Sequence, residues 1–563
     1  MPRVPTRLRL NGSDGSAFGS NHPPTMSRAR RQPPGGVPEP RNARRATPSV
    51  QLGAWLLGAL LAVPAGGLAL ARAFDGLYGQ DAYAYFDYAT LSVRQSILHA
   101  SPLEPFFWPP GYPLLVSLAS LAIGPSPLAG QLVSLLMGAL VPVFCALLVL
   151  ELWPGQHVLA LLAGSLVALS GQLWQSSVVV MADTAGLALA TFSAWALARY
   201  ARRGSLTWLF AASSAIAYAT LARWIYGLVA VPFAAYGLWA LLHVKPRRPL
   251  IHALAAIAVA GVILGPVVGP PLIGLVSHPA DPATFAGNFQ VYSWSPLNAF
   301  RRDFLTADGH LAYPQPNGVY YAAAPANLAF FGPLLAAFIL PGLWAARRWS
   351  PPSLLLIVGW AALVYAFHAG APWQNFRFTL AYLPPLAILA AAGVLVAWQH
   401  LRSIRLRQAL AFCAAVGLII EAAGAIRLEA SFIDRKNEDL ALVRWVQAQL
   451  PPDADLLSFG PTLTLRHYTS LPTFDLFDLT QAQVSAIVGQ PTPHYVLLDE
   501  ANVEAQWLGQ APYENFLFLR DGPGLQLVGS DGAYTLYRLG AYGGTNGGTR
   551  GGKKGATNGG LKI

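Results

Sequence analysis

Residues 128–150 contain no charged side chain. A run of that length and composition crosses a ~30 Å hydrocarbon core as a helix. Comparable apolar runs recur at 53–72, 157–177, 184–200, 206–222, 224–243, 250–272, 326–346, 352–369, 378–398 and 408–426. The expected fold is therefore an α-helical polytopic membrane protein with about eleven transmembrane helices. Only 11% of the 563 residues are charged, less than half of the roughly 25% usual in soluble domains, which excludes a soluble globular chain.

The formal net charge is +11, but its placement argues against nucleic acid as a partner. Arg and Lys cluster in both tails and in the short connectors Ala201-Arg202-Arg203-Gly204, Lys245-Pro246-Arg247-Arg248, Arg347-Arg348 and Arg402 to Arg407. Basic connectors of this kind mark the cytoplasmic side. With the N-terminus inside, all four fall on that side. Cys145 and Cys413 both lie within apolar runs, so they are read as packing residues, with no disulfide framework or thiolate metal site.

Residues 1–50 are rich in Arg, Pro, Gly and Ser without apolar periodicity and read as a disordered basic cytoplasmic tail. Residues 51–426 form the membrane domain, with outer loops at 73–127 and 273–325. The short apolar run between Pro113 and Pro125 is not counted as a span, because counting it would turn every basic connector outward. Residues 82–125 are instead expected as amphipathic helices in the outer interface, anchored by Phe106, Phe107, Trp108 and Tyr112. Residues 427–540 read as a small extracytoplasmic α/β domain. Its markers are an early helix at Arg444-Trp445-Val446-Gln447, buried strands at Asp455–Phe459 and Tyr495–Asp499, and an edge strand at Tyr534–Leu539. Residues 541–563 are a Gly-rich disordered tail.

This topology places a few charged residues at the outer boundary. Asp81 follows the first span, and Asp183 opens the fourth. Carboxylates there are costly unless hydrated, paired or bound to a cation. An Asp opening a helix also serves as an N-cap, and that reading applies to Asp183 as well. Arg223 interrupts apolar sequence in Thr220-Leu221-Ala222-Arg223-Trp224, and Arg377 follows Trp373-Gln374-Asn375-Phe376. Guanidinium groups suit the grip of a phosphate. Outer arginines imply an anionic partner. Tyr83, Tyr85, Phe86 and Tyr88 beside Asp81 are candidates either for stacking on a sugar or for interfacial anchoring. Asp281, Asp303 and Asp308 in the 273–325 loop are further candidates to touch an acceptor, although nothing in their spacing demands it. His99, His278, His310 and His368 show no metal-ligand spacing.

Five segments in order now carry a resemblance: Gln80-Asp81-Ala82-Tyr83, Pro109-Pro110-Gly111-Tyr112-Pro113-Leu114-Leu115, Met181-Ala182-Asp183, Arg223, and Arg377-Phe378-Thr379-Leu380-Ala381-Tyr382-Leu383-Pro384-Pro385. Over residues 53–400 the chain resembles the bacterial protein-mannosyltransferase-like and aminoarabinose-transferase-like glycosyltransferases of the GT-C fold. The resemblance implies an inverting transferase that takes a sugar from a polyprenyl-phosphate donor at the outer face of the cytoplasmic membrane and passes it to an extracytoplasmic acceptor. It implies that Asp81 is the catalytic carboxylate, that Asp183 helps to hold a cation or shape the acceptor site, and that Arg223 and Arg377 contact the donor phosphate. A divalent cation, Mg or Mn, held by Asp81 and Asp183 belongs to the same expectation. Gln80 departs from the pattern, because many relatives carry a second acid there.

The alternative from another class is a membrane transporter or lipid flippase of the cell envelope. Such proteins place charges near the bilayer midplane and often contain inverted repeats. Here the conspicuous charges lie at one boundary, and no repeat is evident.

Overall fold

The computed structural model describes residues 48–244, 249–277 and 293–540. The two expected tails (apart from residues 48–50), the connector at 245–248, His278 and Asp281 lie outside these residues.

The membrane part begins with α1 (Pro48–Ala71), followed by the shorter helices α2 (Gln80–Asp87) and α3 (Gly111–Ile123). Next come α4 (Pro127–Leu152), then α5 (His157–Ala168) and α6 (Gly171–Val178), which are bent by 57° at their break. Helices α7 (Asp183–Arg203), α8 (Leu206–Ala222), α9 (Ile225–Val244) and α10 (Pro249–Ser277) follow. After a hairpin of β1 (Asp303–Thr306) and β2 (Gly309–Ala312), the chain continues through α11 (Gly332–Ala346) and α12 (Pro351–Gly370). It then forms a 3₁₀ turn (Phe376–Tyr382), α13 (Leu383–His400) and α14 (Ile404–Gln449).

Each expected span overlaps a helix, although the 157–177 span is broken between α5 and α6 and residues 327–331 of the 326–346 span form turns. Among the described residues seven helices are long and apolar enough to cross a membrane, or eight if α5 and α6 form one span. Helices α8 and α11 are shorter, and α7 carries Arg199, Arg202 and Arg203 near its end. Leu383, Ala387, Ile388 and Ala391 of α13 are buried, placing it inside the bundle, whereas the most apolar stretch of α10 has none of its residues buried within the protein.

Helix α7 fixes the polarity of the bundle. It opens on Asp183 and ends on Arg202 and Arg203, about 30 Å away at the helical rise. At that far end Arg202 Nη1 donates to Glu151 Oε1 at 3.1 Å, and Trp153 packs on Trp349, with ring centroids 4.5 Å apart. The basic ends of α7 and α11 therefore share one face, opposite Asp183.

Helix α14 differs from the expected arrangement. The span at 408–426 and the early helix at 444–447 are one continuous 46-residue helix. No Gly or Pro interrupts the chain between Gly424 and Pro451, so nothing in the sequence stops the helix at the membrane boundary.

The C-terminal sheet has the order β4-β3-β5-β7-β6, with β3 (Asp455–Ser458), β4 (Thr473–Asp475), β5 (His494–Leu498), β6 (Leu525–Asp531) and β7 (Tyr534–Leu539). Strands β4, β3 and β5 run parallel, while β7 is antiparallel to both β5 and β6. On one face Leu456, Tyr495, Leu497 and Leu536 pack on Leu442, Val443 and Val446 of α14 and on Leu465 of α15 (Thr462–Tyr468). The other face buries Leu457, Val496 and Leu498 under Val484, Val503, Phe516 and Leu519. Cover on both sides explains the continuously apolar β5. Tyr534–Leu539 is an interior strand, contrary to its expected place. The edge belongs to β6, which is largely exposed and bulged between Leu527 and Gly529.

Candidate active site

The segment after α1 is folded back sharply, with Ala73, Gly76 and Gly79 all at positive φ. Gly76 O accepts a hydrogen bond from Val180 N at 2.8 Å. This contact brings Asp81, in the first turn of α2, against the buried run Val179–Ala182 that leads into α7. Asp183 is 3% exposed, and its carboxylate makes no capping bond to α7. It faces two arginines instead.

Arg223 occupies the extended break between α8 and α9. Its approach depends on Gly186, one turn after Asp183, where a Cβ would lie 2.4 Å from the Tyr226 ring. Nη1 of Arg223 donates to Asp183 Oδ1. Arg377 stands at the start of the 3₁₀ turn, where Asn375 Oδ1 accepts its backbone N–H at 2.9 Å. The preceding loop is fixed by Tyr321, whose hydroxyl donates to Trp373 O at 2.6 Å, and by Gln374 Nε2, which donates to Gln315 O at 2.7 Å.

Arg377 joins the two acids. Its Nη2 donates to Asp81 Oδ2 at 2.7 Å, and its Nη1 to Met181 Sδ at 2.6 Å. Its Nε lies 3.5 Å from Asp183 Oδ2 without a hydrogen bond, so both of those buried atoms lack one. Phe378 lies beneath both guanidinium groups, with its ring centroid 5.2 Å from Arg223 and 5.7 Å from Arg377. His368 is stacked between Phe378 and Tyr321. It buttresses the floor, a place its sequence context gave no sign of. The four expected charged residues therefore converge into one neutral cluster of two acids and two arginines. Asp81 is 33% exposed and the arginines 21% each, so the cluster opens to solvent.

The Pro109–Pro113 motif supports this cluster from behind. Gly111 lies against α8, where a Cβ would approach Leu221 O to 2.6 Å, and Tyr218 donates to Gly111 O at 3.0 Å. Tyr112 is fully buried, donating to Gly130 O at 3.1 Å beside Ser134. It is a packing residue, not an interfacial anchor. Phe106 and Trp108 stack on Tyr88 and Tyr85, while Phe107 is exposed.

The expectation of sugar stacking fails for Tyr83 and Tyr85. Tyr83 is 0% and Tyr85 4% exposed, because α2 turns its aromatic face into the protein. Burial pushes both phenols well above their usual range. Tyr83 belongs to a second polar cluster that sequence reasoning missed. There Lys436 Nζ, 2% exposed, donates to Leu77 O at 2.6 Å and to the hydroxyls of Tyr83 and Tyr468 at 2.7 Å each. Tyr468 donates to Asp75 Oδ2, and Lys436 Nζ lies 3.7 Å from Asp75 Oδ1. In sequence Lys436 stands among Asp434, Arg435, Glu438 and Asp439, which reads as a solvated face. Asp308 accepts from Trp373 Nε1 at 2.7 Å, and Asp303 pairs with exposed Arg302 at 3.7 Å.

The acids do not fit a cation held between them. The Arg377 guanidinium lies between Asp81 and Asp183, Gln80 offers no charge, and no group of three or more His, Cys, Asp or Glu side chains suited to a metal occurs among the described residues. Positive charge at this mouth comes from arginine.

No family model and no curated protein matches this sequence. Solved structures do match. ArnT from Cupriavidus metallidurans, in a crystal structure with undecaprenyl phosphate bound, is 15% identical with a TM-score of 0.56, and the match covers 88% of this chain and 98% of ArnT. The Archaeoglobus fulgidus oligosaccharyltransferase, in complex with Zn and sulfate, is also 15% identical with a TM-score of 0.52, covering 87% of this chain and 73% of that one. The chain thus shares their fold, and the expected GT-C-like architecture is the one it has.

Proposed function

We propose that this chain is an inverting glycosyltransferase that moves a sugar from a polyprenyl-phosphate donor to an extracytoplasmic acceptor hydroxyl of a protein, lipid or cell-envelope glycan. The observation that carries the reading is the Asp81–Arg377–Asp183–Arg223 cluster, half open at one end of an apolar bundle. The shared fold with ArnT, whose crystal structure holds undecaprenyl phosphate, supports the donor class.

In this reading Asp81 removes the proton from the acceptor hydroxyl. The acceptor oxygen attacks the anomeric carbon opposite the phosphate, the sugar–phosphate bond breaks, and polyprenyl phosphate leaves with the bonding electrons. A single displacement inverts the anomeric centre. Arg223 and Arg377 stabilise the charge that grows on the leaving phosphate. Asp183 holds the two guanidinium groups in register and offsets their charge before the donor arrives. The N-terminus and basic connectors are cytoplasmic, and the active site and C-terminal domain lie outside the cytoplasmic membrane. Residues 427–540 form the domain that meets acceptor or partner.

Mass spectrometry of lipid that co-purifies with the protein tests the donor class. A polyprenyl-phosphate sugar is the expected species, and its mass identifies the sugar class. Full transfer activity in Asp81→Asn would overturn the mechanism.

A further inference from the structure

Gln80 is the residue that breaks the expected acidic pattern, and its side chain is engaged by the C-terminal domain. Its Oε1 accepts from the backbone N–H of Leu463 at 2.9 Å, and its Nε2 donates to Thr464 Oγ1 at 3.4 Å. Both partners belong to α15 of the C-terminal domain. A carboxylate could accept the first bond, and for the second it would need the Thr464 hydroxyl to act as donor. The residue next to Asp81 is thus held across 383 positions of sequence by a domain that contributes no side chain to the acid–arginine cluster.

Other ties run the same way. Arg72 pairs with Asp434 at 2.8 Å, and Asp75, Leu77 O and Tyr83 all meet Lys436 or Tyr468. On the Arg377 side, Gln506 of the C-terminal domain donates to Asp308 O at 2.7 Å, and the Asp308 carboxylate accepts from Trp373, four residues before Arg377. The domain therefore touches both segments whose side chains meet in the Asp81–Arg377 pair.

We propose that Gln80 is a positioning residue through which the C-terminal domain sets the place of Asp81. The proposal rests on the transferase reading of Asp81. Because Gln80 and Asp81 are consecutive in the first turn of α2, fixing the Gln80 side chain to α15 fixes the helix that aims the carboxylate. Small displacements of a catalytic group lower turnover without weakening substrate binding.

Three variants are compared with the full-length protein in detergent or nanodiscs: Gln80→Ala, Gln80→Glu and Asp81→Asn. Gln80→Ala is expected to lower kcat by up to about 100-fold, the loss that a misplacement of ~1 Å can cause, with donor KM and melting temperature unchanged. Gln80→Glu keeps the bond to Leu463 N–H and is expected to recover most of kcat. Hydrogen exchange gives a readout independent of activity. The Leu463 amide and the backbone of 80–87 are expected to exchange faster in Gln80→Ala. Wild-type kcat and exchange in Gln80→Ala would overturn the proposal, as would a loss that follows a lowered melting temperature and is not rescued by Glu. Full activity in Asp81→Asn would overturn the transferase reading instead, and the exchange data would still decide whether Gln80 ties the two parts together.

Discussion

Two polar clusters lie close together at the Asp183 end of the bundle, and they are built from similar parts to opposite ends. Around Lys436 the ammonium donates to a carbonyl and two tyrosine hydroxyls, with Asp75 alongside, and only 2% of the lysine is exposed. Around Arg377, two acids and two arginines balance in charge, yet Arg377 Nε and Asp183 Oδ2 are buried without hydrogen bonds, and Asp81 keeps a third of its surface. Buried polar groups in a finished structure are satisfied. The closed cluster is fully paired, whereas the open one keeps a buried donor and a buried acceptor that face each other at 3.5 Å without a hydrogen bond.

Charge alone does not distinguish them; satisfaction does. Four measurements can break or sharpen the contrast, taken from the largest effect to the smallest. Asp81→Asn is expected to lower transfer by roughly 10²- to 10⁴-fold, the usual contribution of a positioned base, with normal membrane insertion. An active variant would remove the open cluster from the chemistry. Arg223→Ala should raise the donor KM about 100-fold, equivalent to about 3 kcal/mol for a lost charge-assisted phosphate contact. An unchanged donor KM would assign Arg223 to structure alone. Lys436→Met should act on folding, costing about 3 kcal/mol by leaving the cluster around Asp75 unpaired. The check is a lowered melting temperature in detergent with the donor KM retained.

The smallest effect concerns His467, at the border of the closed cluster. Burial lowers its pKa, with Lys436 acting in the same direction and Asp87 and Asp75 opposing. The unfolded chain therefore takes up this proton at higher pH than the folded one. The stability His467 contributes is present above the unfolded value near 6.5 and is lost as pH falls through the window below it. Melting temperatures should fall between about pH 7 and about pH 5, with a shallower fall in His467→Gln. Equal slopes in the two proteins would remove His467 from the account.

The four charged residues stood out in the sequence because charge is scarce in this chain and each lies near the end of an apolar run. Their convergence, with Arg377 reaching Asp81 across 296 positions, follows once the spans alternate correctly. Which way a side chain turns was not legible. Tyr83 and Tyr85 look alike as anchors or stacking groups until α2 is seen to pack its aromatic face inward. Lys436 looked solvated because its neighbours are charged, and no local pattern states that Tyr83 and Tyr468 close over it. The role of Gln80 depends on α15, folded from residues nearly four hundred positions later. Met181 could not be identified as a sulfur contact to Arg377 from an apolar run.

Helix α14 also constrains how such a chain can vary. Its 46 residues run unbroken from the last membrane span into the C-terminal sheet, so the two parts are joined by a shaft, not a tether. Each residue inserted into a helix turns everything beyond it by about 100° and advances it by about 1.5 Å. One residue added between Leu418 and Ile426 would swing Lys436 and α15 away from the segment that carries Asp81, and no loop could absorb the rotation. Length changes here are subject to a phase rule: seven residues nearly restore the angle but raise the domain by about 10 Å. The connection between membrane and domain tolerates substitution far better than insertion.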